Sequence, residues 1–259
     1  MAQRIAPHRR SIRAMEPAGS LQSRTMHAET KPPALEVRGL RFAHAGERGR
    51  KSFELALPSL VLARGEEMLL VGRSGCGKST LLQLIAGLLD PSTGSIVVGG
   101  TEINALRGAA RDRFRGREIG MVFQTFHLLT GFTARENVLA ALLMADSPAA
   151  ERGARAENLL RSLGLEDLDA RVEDLSVGQQ QRVAIARALA CRPTLVLADE
   201  PTASLDPENA VNALRVLRDA CREQGAALLV VSHDPAVESH FARVERLGSA
   251  PVARAEAAA

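Results

Sequence analysis

The 259-residue chain contains no Trp, no Tyr and only seven Phe. Aromatic platforms on which single-stranded nucleic acids stack their bases are therefore scarce, which weighs against a nucleic-acid module. Charge of one sign is not in excess either. The 33 Lys and Arg against 30 Asp and Glu leave a net +3, too balanced for the electrostatic footprint of a polyanion-binding surface. Cysteine is sparse: Cys76, Cys191 and Cys221 show no C-x-x-C or metal-ligand spacing, the usage expected of a reduced cytosolic protein. Long apolar runs are missing as well. The longest, Leu81–Leu89 and Val138–Ala145, fall well short of the roughly 18 residues that cross a bilayer, so any membrane-embedded function is expected on another chain. What remains is 46% hydrophobic, enough for one large α/β domain or two small ones.

Within that chain one stretch stands out, Gly72-Arg73-Ser74-Gly75-Cys76-Gly77-Lys78-Ser79, which fits the phosphate-loop pattern G-x-x-x-x-G-K-S/T. Three glycines let the backbone curl until successive N–H groups point inward at an anion. Lys78 adds a full positive charge, and the Ser79 hydroxyl is a ligand for Mg²⁺. Before the loop, Met68–Val71 is a short apolar run that reads as a buried strand. After it, Ser79-Thr80 opens a helical stretch to Gly87 whose N-terminus faces the phosphates. An accidental glycine-rich turn would not come with this strand–loop–helix context.

Along the rest of the chain, residues 1–32 are acid-poor and lack hydrophobic periodicity. They read as a disordered basic tail, a flexible extension or a start placed too early with Met26 as the true one, in preference to a targeting peptide. Ala34–Phe42 alternates apolar and polar residues, and Phe53–Leu57 is its expected hairpin partner across the charged tip 46–51. Further strands are expected at Gly94–Gly100, Ile119–Phe123, Leu195–Ala198 and Ala226–Val231. Helical spacing marks Thr133–Met144, Ala149–Leu163 and Gly178–Ala190, and Pro207–Arg222 forms a helix with Asp206 as its cap. About 125–175 is a helical insertion between strand-rich parts. Its opening, Thr125–Phe132, is apolar for a loop, the mark of a docking surface or of packing under the helices. Residues 249–259 are a low-complexity tail. Strands alternating with helices predict an α/β fold with a mostly parallel sheet, and each polar motif sits at the C-terminal end of a strand, where such sheets bind ligands.

Those strand ends carry the chemistry. Asp199 closes an apolar strand and can hold Mg²⁺ directly or through water. Glu200, the next residue, is a candidate base for an attacking water; the competing reading is a strand end with two surface acids. Gln124 offers a carbonyl to Mg²⁺ and to water, and His233 can donate to a γ-phosphate, although a single Gln or His in such a place is commonly structural.

Leu175-Ser176-Val177-Gly178-Gln179-Gln180-Gln181-Arg182 closely resembles the LSGGQ signature of ATP-binding-cassette (ABC) ATPases. The whole of residues 34–248 resembles one ABC nucleotide-binding domain, and residues 33–248 are read as that domain. The resemblance implies a P-loop NTPase core with a mostly parallel sheet, an antiparallel β subdomain and an inserted α-helical subdomain. It makes Gln124 the Q-loop glutamine, Asp199 and Glu200 the Walker B aspartate and catalytic glutamate, Ala203–Asp206 the D-loop, and His233 the switch histidine. It further implies a homodimer with two ATP sandwiched between the phosphate loop of one subunit and Ser176, Val177, Gly178 and Gln179 of the other. The signature opens a helix, whose N-terminus suits an anion. Two departures stand out. Val177 replaces a glycine, with Ser176 and Gly178 retained, so hydrolysis is expected to persist. The aromatic on which the family stacks adenine falls at His44, or at Phe42, which predicts weaker base selectivity. Cys76, inside the loop at a helix N-terminus beside Lys78, has the surroundings of a reactive thiol; an inert small filler is the other reading.

Gln124–Leu129 followed by Phe132–Val138 resembles the lipoprotein-releasing and macrolide-export branch. That resemblance implies an ATPase subunit at the cytoplasmic face of an inner membrane that drives a separate permease, with ATP and Mg²⁺ as cofactors and no nucleic-acid partner. A related ATPase that controls cell-wall hydrolysis at division is the alternative. Chromosome-organising heads that share the signature need a long coiled-coil arm between motif halves. Fewer than 100 residues separate Lys78 from Ser176, so no arm fits. Translation-factor types need two cassettes, and one is present.

Overall fold

In the computed structural model, described residues are 31–44, 53–203 and 205–248. The chain divides after Lys31, and the fold belongs to the unit that begins at Pro32. Residues 1–30 of the expected N-terminal tail, the C-terminal tail 249–259, the hairpin tip 46–51 and Ser204 lie outside the described residues, as do the side chains of His44, Pro207 and Glu208.

Two sheets organise the fold. The first is antiparallel, with strand order β2-β1-β4-β5, formed by β1 (Leu35–His44), β2 (Phe53–Leu62), β4 (Thr93–Val98) and β5 (Thr101–Glu102). The expected hairpin is there and is longer than its alternation suggested, with Leu35 opposite Leu62 and His44 opposite Phe53. The second sheet is parallel throughout, order β6-β7-β8-β3-β9, from β3 (Glu67–Val71), β6 (Ile119–Val122), β7 (Leu195–Asp199), β8 (Ala227–Ser232) and β9 (Val244–Arg246). Its central strands are apolar along their length because both faces are covered. The side-chain period of two then divides each strand between two cores. Met68, Leu70, Leu195, Leu197 and Leu229 face the cluster shared with the antiparallel sheet and helix α1 (Lys78–Ile85). Leu69, Val71, Val196, Ala198, Leu228 and Val230 face the other cluster, shared with α3 (Ala134–Met144), α4 (Ala149–Ser162), α5 (Val177–Leu189) and α6 (Pro207–Gln224).

Helix ends follow local chemistry. Thr133 caps α3 through a reciprocal box with Glu136, Ser176 caps α5 the same way with Gln179, and Asp206 caps α6 at the Asn209 N–H. One helix has no counterpart in the sequence pattern, α2 (Gly108–Glu118, GAARDRFRGRE). It buries no residue, so it has no apolar stripe to betray its period. At the start of β3, Glu67 ties the strand to α6 through Arg218 at 2.7 Å and Arg222 at 2.9 Å. No helix among the described residues is long and apolar enough to cross a membrane.

Candidate functional site

Parallel pairing brings the strand ends to one edge. Val71 registers with Ser232, Asp199 with Val231, and Val122 with Ala198. The residues beyond these ends therefore converge: the phosphate loop after β3, Gln124 after β6, Glu200 after β7 and His233 after β8. A cavity of about 480 Å³ opens there, lined by Phe53, Ser74, Gly75, Gly77, Lys78, Ser79, Thr80, Gln124, Glu200 and His233.

Gly77, at φ +102°, caps α1, and a Cβ on it would lie 2.5 Å from the Phe53 ring. Only glycine gives this left-handed corner with an aromatic pressed against it. Lys78 is buried, and its ammonium donates to the Gly72 carbonyl at 2.8 Å and the Arg73 carbonyl at 3.4 Å. It also lies 3.6 Å from Glu200 Oε1. Glu200 adopts a left-handed backbone, φ +47°, uncommon for a non-glycine residue and typical of functional sites. Its carboxylate is gripped from several sides. Oε1 lies 2.8 Å from His233 Nδ1, and Oε2 accepts from the Ser232 hydroxyl and the His233 N–H, each at 3.2 Å. Beside it, the Ser79 hydroxyl donates to Asp199 Oδ1 at 3.2 Å. Burial pushes the Asp199 carboxyl above its usual range, aided by the neighbouring charge of Glu200 and opposed by the Ser79 bond and Lys78.

A hydroxyl and a carboxylate adjacent to a phosphate cradle suit Mg²⁺. That ion takes one or two protein oxygens and fills its shell with phosphate and water, so the lack of any cluster of three His, Cys, Asp or Glu among the described residues does not count against it.

Not every residue expected at the site lines this cavity. Gly72 and Arg73 line a neighbouring one with Ser74, His233 and Arg246. Cys76 is half-buried against the core shared with the antiparallel sheet, and its sulfur sits 2.6 Å from where a Gly72 Cβ would be. His44 ends β1 opposite Phe53; Phe53 lines the cavity, and Phe42 packs on the core. Phe53 lies across the hairpin from the position that the resemblance singles out, and its signal in the sequence is the pairing register. Ser232 joins the site although no motif marks it; it precedes His233 as the one polar residue ending an apolar run. Ser176, Val177, Gly178 and Gln179 form the first turn of α5. There the Ser176 hydroxyl accepts from the Gln179 N–H at 3.3 Å and the Gln179 side chain accepts from the Ser176 N–H at 2.9 Å. None of the four lines the phosphate cavity, and Val177 stands half-exposed. Asp206 spends its carboxylate on Asn209, at 3.1 Å to the backbone N–H and 2.6 Å to the amide. Buried Gln181, also on α5, donates to the Pro201 carbonyl at 3.0 Å, which joins the signature helix to the Asp199–Glu200 strand end.

Comparison with known proteins gives the family and the fold. Residues 56–203 match the family model described as ABC transporter. The ABC transporter ATP-binding protein YtrE of Bacillus subtilis is 41% identical over 202 residues, 76% of this chain and 87% of that protein. Among solved structures, the dimeric post-hydrolysis state of the ATP-binding cassette MJ0796 with ADP and Pi superimposes with a TM-score of 0.72 at 33% identity, covering 83% of this chain and 94% of that one. CbiO1 of Clostridium perfringens, part of the ABC transporter complex cbiONQ, gives 0.73 at 30% identity, covering 85% and 86%. The chain belongs to the ABC transporter family as an ATP-binding subunit with the ABC ATPase fold, and it is an ATPase.

Proposed function

We propose that two copies of this subunit close around two ATP molecules and so drive a separate membrane permease, of the export or lipoprotein-release type, at the cytoplasmic face of an inner membrane. The observation that carries the reading is a division of labour within one chain. The phosphate loop, Asp199, Glu200 and His233 gather at one cavity, while the signature turn lies outside it. That turn offers free N–H groups and a positive helix end to an anion, so Ser176 and Gly178 reach a γ-phosphate only across an interface with a second copy.

In this reading the phosphates of ATP replace the Gly72 and Arg73 carbonyls as partners of Lys78. Ser79 and Asp199, with Gln124, would hold Mg²⁺, which would supply neutralisation of charge on the phosphate oxygens. Glu200 accepts a proton from water as its oxygen bonds to the γ-phosphorus and the bond to the β–γ bridging oxygen breaks, leaving ADP and phosphate. His233 and Ser232 keep the carboxylate aimed. The permease docks on the cavity of about 580 Å³ whose lining includes Leu88, Phe123, Leu129 and Met144. Met144 is 80% exposed, and Leu88 and Leu129 of the same lining are exposed with it, more apolar surface than scattered residues account for.

Glu200→Gln tests the sandwich. Loss of a positioned base costs a factor of about 10²–10⁴ in rate, roughly 3–5 kcal/mol of barrier, so ATP should convert the variant from monomer to a persistent dimer in size-exclusion chromatography. A variant that binds ATP and stays monomeric, also with Val177→Gly added, refutes closure around ATP by this subunit alone.

A further inference from the structure

The segment after β6 is held in an uncommon shape. The Phe126 N–H donates to the Phe123 carbonyl at 3.1 Å, closing a four-residue turn with Gln124 and Thr125 at its centre. The next two residues, Phe126 and His127, both adopt left-handed backbones at φ +59° and +48°. Neither is glycine, and side chains other than glycine resist this region. Arg187, from the third turn of α5, meets the carbonyls of this pair, donating to that of Phe126 at 2.6 Å and to that of His127 at 2.5 Å. A planar guanidinium matches two adjacent acceptors in a way that an ammonium does not.

The rest of Arg187's surroundings agrees with this task. It is half-buried, burial lowers its affinity for the proton, and among the described residues it forms no ion pair. A cation desolvated without a carboxylate is costly unless its hydrogen bonds compensate, and the two carbonyls supply them. Beyond the clamp, buried Asn137 of α3 secures the same loop, accepting from the Leu129 N–H at 2.7 Å and donating to the Leu129 and Thr133 carbonyls at 3.3 and 3.0 Å.

We propose that Arg187 is a positioning residue for Gln124: its guanidinium fixes the left-handed exit of the turn that carries Gln124 into the phosphate cavity, and it ties that turn to the helix bearing the signature. The inference rests on the role proposed for Gln124. Ser176 at the head of α5, Gln181 in its middle and Arg187 near its end then place three parts of the site on one rigid element. A force on the Gln124 loop is thereby transmitted to the signature turn.

The test uses the full chain as Arg187→Ala, Arg187→Lys, Gln124→Ala, Arg187→Ala with Gln124→Ala, and Arg187→Ala with His127→Gly. Steady-state ATP hydrolysis, binding of a trinitrophenyl ATP analogue and thermal unfolding are read for each. Arg187→Ala is expected to lower kcat by about 10- to 100-fold, the scale of an ångström-level misplacement, with analogue affinity within about twofold because the phosphate loop is untouched. Added to Gln124→Ala it should cost nothing more, since both act through one group. Glycine at 127 accepts the left-handed backbone unaided and should restore several-fold of the lost rate in the Arg187→Ala background. A merely structural Arg187 would give multiplicative losses and no rescue. Wild-type kcat in Arg187→Ala, losses that multiply with Gln124→Ala, or no gain from glycine overturns the proposal. Should Arg187→Ala not fold, Arg187→Lys with and without His127→Gly makes the same comparison, and absence of a gain again overturns it. Undiminished hydrolysis by Gln124→Ala would refute the role of Gln124 itself; a slow Gln124→Ala beside a fast Arg187→Ala refutes only the positioning.

Discussion

Gly120 and Gly153 give opposite predictions for the same chemical change. Gly120 lies in β6 where α5 crosses it, and a Cβ there would stand 2.3 Å from the Ala188 carbonyl oxygen, 3.0 Å from its carbon and 3.3 Å from Pro193. Those neighbours are backbone and ring atoms that cannot swing aside, so Gly120→Ala must push β6 and α5 apart. Overpacking of this kind costs about 1–3 kcal/mol, occasionally more, and the backbone contact puts the cost at the upper end. For a domain of this size each kcal/mol moves the melting temperature by about 2–4 °C, which gives a fall of roughly 6–12 °C. Gly153 sits on the exposed face of α4 with nothing within 4 Å of its Cβ position. There Gly→Ala removes only backbone freedom and should stabilise by about 0.5–1 kcal/mol, a rise of roughly 1–4 °C. Thermal unfolding followed by circular dichroism, confirmed by urea midpoints at constant slope, reads both. A Gly120→Ala protein that melts with wild type would refute the close crossing of α5 over β6. Because α5 carries the signature turn, the same variant should also lose ATPase activity in proportion greater than its loss of folded protein.

Two further predictions concern single side chains. Ser176→Ala removes the cap of α5, which should cost about 0.5–2 kcal/mol of stability and, in the Glu200→Gln background, prevent the ATP-dependent dimer; an unchanged dimer would remove Ser176 from the interface. Asp199→Asn should abolish Mg²⁺-dependent hydrolysis yet raise the melting temperature of the nucleotide-free protein at pH 7. Burial lifts the folded pKa of Asp199 above its unfolded value, so the folded state binds the proton more tightly and this group's contribution to wild-type stability rises as pH falls through that folded pKa. The gain from asparagine should therefore be full at neutral pH and shrink through the acid range, and a gain independent of pH would show that desolvation of the charge is not its source.

The division between what was legible in the sequence and what was not tracks the range of the forces involved. Gly72–Ser79 was readable because a phosphate cradle is built from contiguous backbone. The strand ends at Asp199, Glu200 and His233 were readable because a polar residue that closes an apolar run marks the edge of a parallel sheet where ligands bind. Four strands of the parallel sheet announced themselves as short apolar runs, whereas β9, only partly buried, carries no such run, and the capping boxes at Thr133–Glu136 and Ser176–Gln179 came into view only in the structure. Helix α2 was invisible because it has no fully buried residue and lays only Phe114 against the core. The resemblance put the adenine-stacking aromatic at His44 or Phe42; that Phe53, opposite His44, lines the phosphate cavity came only from the pairing register of the hairpin. The grip of Ser232 on Glu200, the bond from Gln181 to Pro201 and the clamp of Arg187 on Phe126 and His127 join residues tens of positions apart, so no local pattern encodes them. Local propensity and periodicity determined the elements and the chemical inventory. Packing of α5 against β6 and the register of parallel strands decided which of those groups meet.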